Sequence, residues 1–140
     1  LSTAQRYTLG KAERLKSRKA IEQLFEKGQA FSLFPLRVIY VLEKKEEERK
    51  GDPLQCGFSV STKRFKKASD RNRIKRVLRE TWRLQKKELQ VAVAEQNMQL
   101  NVFLIYTGNE LPEYEKLITK TAGAIKRLIK TVDENSKAGT

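Results

Sequence analysis

The sequence predicts an α+β fold in a single domain, its elements ordered α-β-β-β-α-β-α and its strands gathered into one central four-stranded mixed sheet with helices packed on it. Three observations carry this. "LQCGFSVS" alternates, with Cys56, Phe58 and Val60 to one side and Gly57, Ser59 and Ser61 to the other, the period of a strand. "LNVFLIYTG" is apolar on both faces and reads as a central strand. Residues 69–89 and 112–132 repeat apolar side chains at helical spacing instead.

The elements follow in order. Residues 1–12 read as a flexible segment, 13–133 as the domain and 134–140 as a frayed tail. "SRKAIEQLFEKG" suits a short helix, with Ser17 as N-cap, Ile21, Leu24 and Phe25 on one face, and Gly28 as the stop. In "AFSLFPLRVIYVLEKK" Pro35 separates a short piece from a strand over 36–44. "EKKEEERKGDP" is a solvated turn. After the alternating strand, "STKRFKKAS" is a loop leading to a long helix from about Ser69 or Asp70, either of which can cap it, to about Leu89. "VAVAEQNMQ" fits an extension of that helix or a loop. Pro112 opens the last helix, whose apolar face runs from Leu117 through Ile125 and Leu128 to Val132.

Charge is concentrated. The chain carries 30 Lys and Arg against 17 Asp and Glu, a net of +13. Between Lys63 and Lys87 twelve cations face only Asp70 and Glu80, so +10 of that excess lies in one stretch. On a helical wheel Ile74, Val77, Leu78, Thr81, Trp82 and Leu89 share one face. Asn72, Arg76, Arg79, Arg83, Lys86 and Lys87 cluster opposite, flanked by Arg73 and Lys75, and the preceding loop holds Lys63, Arg64, Lys66 and Lys67. Glu80 is in reach of Arg76, whereas Arg79 with Arg83 and Arg83 with Lys87 are like-charge i,i+4 pairs, each costing ~0.2–0.5 kcal/mol with nothing bound. A merely solvated helix face explains that repulsion less well than an external polyanion does, and arginine suits phosphate. The apolar face is needed for the core, which argues against membrane binding.

Other chemistries are excluded by what is missing. The sequence has no His, so imidazole catalysis and Cys/His zinc sites are out. Cys56 is the only Cys; no intrachain disulfide can form, a reducing cytoplasm is the expected setting, and the residue reads as core. No apolar run approaches the ~18 residues of a membrane span. The acids fall in "EKKEEER" or singly on helices, so no catalytic residue and no protein-held metal is expected. Taken alone, Phe25, Tyr40, Phe58 and Phe103 read as core aromatics, with Tyr40 the best suited to stack a base.

At "GFSVSTKRFKKASDRNRIKRVLRE", residues 57–80, the chain resembles the protein subunit of bacterial ribonuclease P, which carries an Arg-Asn-Arg signature in a basic helix after a strand close to "GxSVSKK". "RLKSRKAIEQLFEKG" resembles that family's first helix, and the likeness spans about Arg14 to Val132. The chain differs from the usual pattern at Ile21, Lys66 and Ser69. The resemblance implies a left-handed βαβ crossover and a role in removing the 5′ leader of precursor tRNA. The chemistry then lies in a catalytic RNA subunit, with Mg2+ held mainly by RNA and substrate. It implies RNA contacts at Arg71, Asn72, Arg73, Lys75, Arg76 and Arg79, to which the cationic loop and ridge add Lys63, Arg64, Lys67 and Arg83 as expected contacts. It implies a leader cleft between the first helix and the sheet at Ile21, Phe25, Tyr40 and Phe58. The partners would be the catalytic RNA and precursor tRNA, with no membrane and no obligatory protein partner. The alternative is a general RNA-binding or ribosome-associated module.

Overall fold

The computed structural model describes residues 9–45 and 52–138, with side chains through 135. The expected flexible segment therefore falls partly, and the solvated turn mostly, outside the described residues. The elements are a 3-10 turn at Lys11–Glu13, α1 (Arg18–Lys27), β1 (Gln29–Leu33), β2 (Leu36–Lys44), β3 (Leu54–Val60), α2 (Ala68–Gln85), α3 (Lys87–Glu95), β4 (Met98–Tyr106) and α4 (Tyr114–Ala138).

The four strands form one mixed sheet in the order β1-β2-β4-β3, with β3 and β4 parallel and the other pairs antiparallel. A parallel neighbour cannot be reached through a tight turn, and α2 with α3 supplies the crossover. β4 is central, as its apolar run requires. Its even-numbered residues Leu100, Val102, Leu104 and Tyr106 are all buried, in line with Val38 and Leu36 of β2 and with Leu54, Cys56 and Val60 of β3. Against this face pack Trp82, Leu89, Val93, Ala124, Ile125, Leu128 and Val132 from the three later helices. The odd-numbered face carries Phe103 and Ile105 with Ile39 and Val41, covered by Leu15 and by Leu24, Ala20 and Ile21 of α1.

Local signals explain several boundaries. Ser17 caps α1, its Oγ accepting from the Ala20 N–H at 3.3 Å. At Gly28 an added Cβ would lie 2.3 Å from the Leu24 carbonyl, so α1 can hand over to β1 there only through a glycine. Asn97, at φ 55, ends α3 in the left-handed conformation and turns the chain into β4.

The structure departs from the sequence reading in four places. α2 begins at Ala68 with Lys67 as N-cap and no side-chain cap, so Ser69 and Asp70 lie inside the first turn instead of capping it. The long helix does not run to Leu89; it breaks at Lys86, and "KELQVAVAE" is a separate helix, α3. Lys86, assigned to the cationic ridge, is instead 3% exposed and bonds through Nζ to Glu13, which Gln90 also reaches. Its backbone stays helical at φ −70 and ψ −19, so the interruption is one residue long, and Leu89 and Val93 of α3 pack on the sheet. Finally, Leu9–Ala12 are anchored: Leu9 packs on the core, the Gln55 amide donates to the Ala12 carbonyl at 2.9 Å, and the Leu15 N–H donates to Cys56 at 3.0 Å, adding a short rung to the β3 edge. α4 keeps helical backbone to Ala138, five residues beyond the end assigned to the domain.

Candidate nucleic-acid interface

α2 is amphipathic as its sequence demands. Ile74, Leu78, Thr81 and Trp82 are fully buried, and the Thr81 hydroxyl meets that of Thr121 at 2.9 Å to satisfy both beneath α4. With that face fixed, Asn72, Arg73 and Arg76 are exposed, and Lys75 and Arg79 are half-buried. Among the described residues no carboxylate comes within ion-pair distance of Arg73, Lys75, Arg76 or Arg79. Arg83 differs: its Nε donates to Glu80 Oε2 at 3.1 Å. The Arg83 hydrogen bond holds the Glu80 carboxyl below its ordinary range, and Glu80 raises Arg83. Glu80 thus serves Arg83, not the Arg76 within its reach on the wheel.

The loop before α2 is built by two of the predicted RNA contacts. Phe65 is buried and its ring lies 6.1 Å from that of Tyr106, pinning the loop to the sheet end. Arg71 Nη1 donates to the carbonyls of Phe65 and Lys66 at 2.8 and 2.7 Å. Arg64 Nη1 bonds the Thr107 carbonyl and, at 3.1 Å, Asn109 Oδ1. Both arginines therefore use a guanidinium edge to shape the loop. Lys63 and Lys67 remain exposed.

The four residues assigned to a leader cleft do not come together. Ile21 and Phe25 lie on α1, on the odd-numbered face of the sheet. Tyr40 is in register with Val102 and Phe58 with Leu104, so strand parity sends both to the opposite face, where they pack under the later helices. Beside α1 stand other groups. Phe25 is 52% exposed, and its ring meets Phe103 edge-on at 5.5 Å and 68°. Arg37, Ile105 and Ser59 follow in one row across β2, β4 and β3. The aromatic partner missed in the sequence is Phe103, taken as core; parity relative to Ile39 would have found it once α1 was known to cover that face.

Gly57 makes this surface possible. An added Cβ would stand 2.5 Å from the Phe103 ring, so the ring lies over a position where only glycine fits. Gly57→Ala is expected to displace Phe103 and to lower stability by about 1–3 kcal/mol, read as a shifted urea midpoint. An unchanged midpoint would show the ring free to move aside.

Burial pushes the Cys56 thiol well above its ordinary range, the opposite of an activated nucleophile. Among the described residues no three His, Cys, Asp or Glu converge as metal ligands.

The sequence pattern of the family described as Ribonuclease P matches residues 9–129. The chain belongs to the ribonuclease P protein family. It is 36% identical over 108 residues to the ribonuclease P protein component of Porphyromonas gingivalis strain ATCC 33277, covering 77% of each chain. To that of Chlorobaculum tepidum it is 34% identical over 94 residues, covering 67% of this chain and 61% of the relative. The fold is that of the RNase P protein from Thermotoga maritima, at TM-score 0.61 and 22% identity over 82% of this chain and 96% of that one. The Staphylococcus aureus RNase P protein superposes at TM-score 0.54 and 21% identity, covering 86% and 95%. Membership carries the family's role with it, RNA binding and 5′ processing of tRNA. A cationic helix face awaiting an anion is what that role requires.

Proposed function

We propose that the chain is the non-catalytic protein subunit of ribonuclease P, binding the catalytic RNA through the α2 ridge and the 5′ leader of precursor tRNA through the α1 face of the sheet. The observation that carries this is the set Arg73, Lys75, Arg76 and Arg79, held on a helix fixed by Trp82 with no carboxylate in ion-pair distance among the described residues. Asn72, Lys63 and Lys67 extend the same surface, while Arg64 and Arg71 contribute the donors left over from their internal bonds. The leader lies along Phe25, Phe103, Ile105, Arg37 and Ser59, where an exposed ring offers a base-stacking platform and Arg37 a phosphate contact. Magnesium ions belong to the RNA and substrate in this reading, and the working compartment is the cytoplasm. Among the described residues no helix is long and apolar enough to cross a membrane.

Reconstitution with a bacterial ribonuclease P RNA at low magnesium tests the assignment. Leader removal should require both components, and the pure protein incubated with precursor tRNA and magnesium should leave the leader intact. Cleavage by the protein alone overturns the non-catalytic role. Preference for leader-bearing over mature tRNA separates the subunit from a general RNA chaperone, which should show none. Phe25→Ala should reduce that preference about 5- to 100-fold, the span of one lost base stack, with affinity for the RNA subunit unchanged. Equal binding of both tRNAs by parent and variant would remove α1 from the leader site.

A further inference from the structure

We infer that the groove between α4 and the β1–β2 hairpin is a second binding surface, one that takes a short single strand of RNA. It rests on no part of the assignment of α2. α4 packs against α2 on one side and against β1 and β2 on the other, so the groove lies across the helical layer from the α2 ridge.

Lys116, Lys120, Gly123, Arg127 and Lys130 recur every three or four residues along α4 and form one stripe, with Lys126 beside it. At 1.5 Å per residue the stripe is ~21 Å long, comparable to a site of about four nucleotides, the short end for single strands. Two cavities adjoin it. One of about 780 Å³ is lined by Phe34, Pro35, Lys116, Thr119 and Lys120. The other, of about 650 Å³, is lined by Tyr40, Gly123, Lys126, Arg127 and Lys130. Lys120 lines the first and Gly123 the second, less than one helical turn apart on α4, and the Leu33 side chain packs against Gly123 between them.

The groove offers charge and rings together. Among the described residues Lys120 and Lys126 have no carboxylate within ion-pair distance. Lys116 with Glu113 at 3.6 Å and Lys130 with Glu134 at 4.0 Å are open pairs, with every side chain at least two-thirds exposed, and such pairs are weak. Glu110, Glu113 and Glu115 also line the first cavity, whereas the second sets Lys126, Arg127 and Lys130 against Glu134 alone, so the excess of cations lies at the Arg127 end. The Arg127 guanidinium lies 4.4 Å from the centroid of the Phe31 ring, which tilts against Tyr40 at 6.0 Å. Phe34 is 69% exposed, the most exposed large apolar side chain among the described residues. A naked ring at one end of the α4 stripe has no use for a duplex, whose bases are stacked on each other, but accepts an unpaired base while the phosphates run toward Lys126, Arg127 and Lys130. An anionic bilayer is a poorer match, because the apolar face of α4, from Leu117 to Val132, is buried in the core.

The test measures binding of a labelled uridine dodecamer to the full chain in a background carrying Arg73→Ala, Arg76→Ala and Arg79→Ala. Binding that persists there should fall roughly 10- to 100-fold when Lys126, Arg127 and Lys130 are also changed to Ala, and its salt slope should drop by about 2. Phe34→Ala should weaken it at least about fivefold, the low end for one stacked base, and Phe34→Tyr should restore it. Inorganic polyphosphate, an anion without bases, should respond to the α4 changes and ignore Phe34→Ala. Absence of residual RNA binding, or indifference to the α4 changes, overturns the site. Indifference to Phe34→Ala, or an equal loss with polyphosphate, overturns recognition of a base-bearing strand. None of these results bears on α2, which is read from the drop between the parent and the background variant.

Discussion

Replacing Arg73, Arg76 and Arg79 together with alanine is expected to lower affinity for the ribonuclease P RNA about 100-fold at 0.1 M salt while the protein stays folded. Each cation that neutralises a phosphate steepens the dependence of log affinity on log salt by about 0.7 to 0.9, so at 0.1 M each contact is worth somewhat less than a factor of ten. Three contacts give at least two decades, and the slope itself should fall by about 2 to 3. Stability should not suffer. Arg73 and Arg76 are exposed, none of the three holds a carboxylate among the described residues, and removing like charges relieves repulsion along the helix. A urea midpoint equal to or above that of the parent, beside a flattened salt titration, is the expected pair of results. Full affinity in the triple variant would show that α2 is not the contact surface.

The same comparison sets Arg71 apart. Its guanidinium edge holds the Phe65 and Lys66 carbonyls, so Arg71→Ala frees the loop that positions Lys63 and Lys67. Loss of binding there would come with loss of loop order.

Much of this was legible in the chain because the signals were local. Period-two alternation in "LQCGFSVS" assigned Cys56, Phe58 and Val60 to one face of β3, and the structure places Leu54, Cys56 and Val60 in the core on that face. The wheel of α2 separated Trp82 and Ile74 from Arg76 because an amphipathic helix repeats its pattern over many turns. What stayed hidden was long-range. Lys86 and Glu13 are 73 residues apart, and no spacing rule pairs them. Tyr40 and Phe103 both sit in strands apolar on both faces, so the sequence gives their parity but not which parity meets α1. That choice is made by the β2–β4 register and by α1 docking over Ile39, and it puts Phe103 on the α1 face of the sheet and Tyr40 and Phe58 on the other.

The buried ion pair should make stability depend on pH in a definite window, and Glu13→Gln should expose it. The side chains of Glu13 and Lys86 are 13% and 4% exposed, so an ammonium has been taken out of water beside the Glu13 carboxylate. Burial pushes the Glu13 carboxyl up, but the hydrogen bonds from Lys86, the Gly10 N–H and Gln90, with the Lys86 charge, outweigh it and leave its pKa below the ordinary 4.5. A carboxyl depressed by folding stabilises the native state above its unfolded pKa, and that contribution drains away as pH falls through the folded one. At pH 7, Glu13→Gln should cost about 3–5 kcal/mol, because the buried ammonium loses its carboxylate, and Glu13→Gln with Lys86→Met should recover most of it. Below about pH 4.5 the gap between parent and Glu13→Gln should begin to narrow, and it should vanish only below the lower folded pKa, where Glu13 is protonated in the native state and the parent becomes electrostatically equivalent to the variant. Denaturant midpoints from pH 7 to pH 3 read both effects, and a gap constant across that range would mean the pair carries no linked charge. The functional readout follows from position. Glu13 ties the segment that enters α1 to the α2–α3 junction, so the loosened variant should lose preference for leader-bearing tRNA before it loses affinity for the RNA subunit.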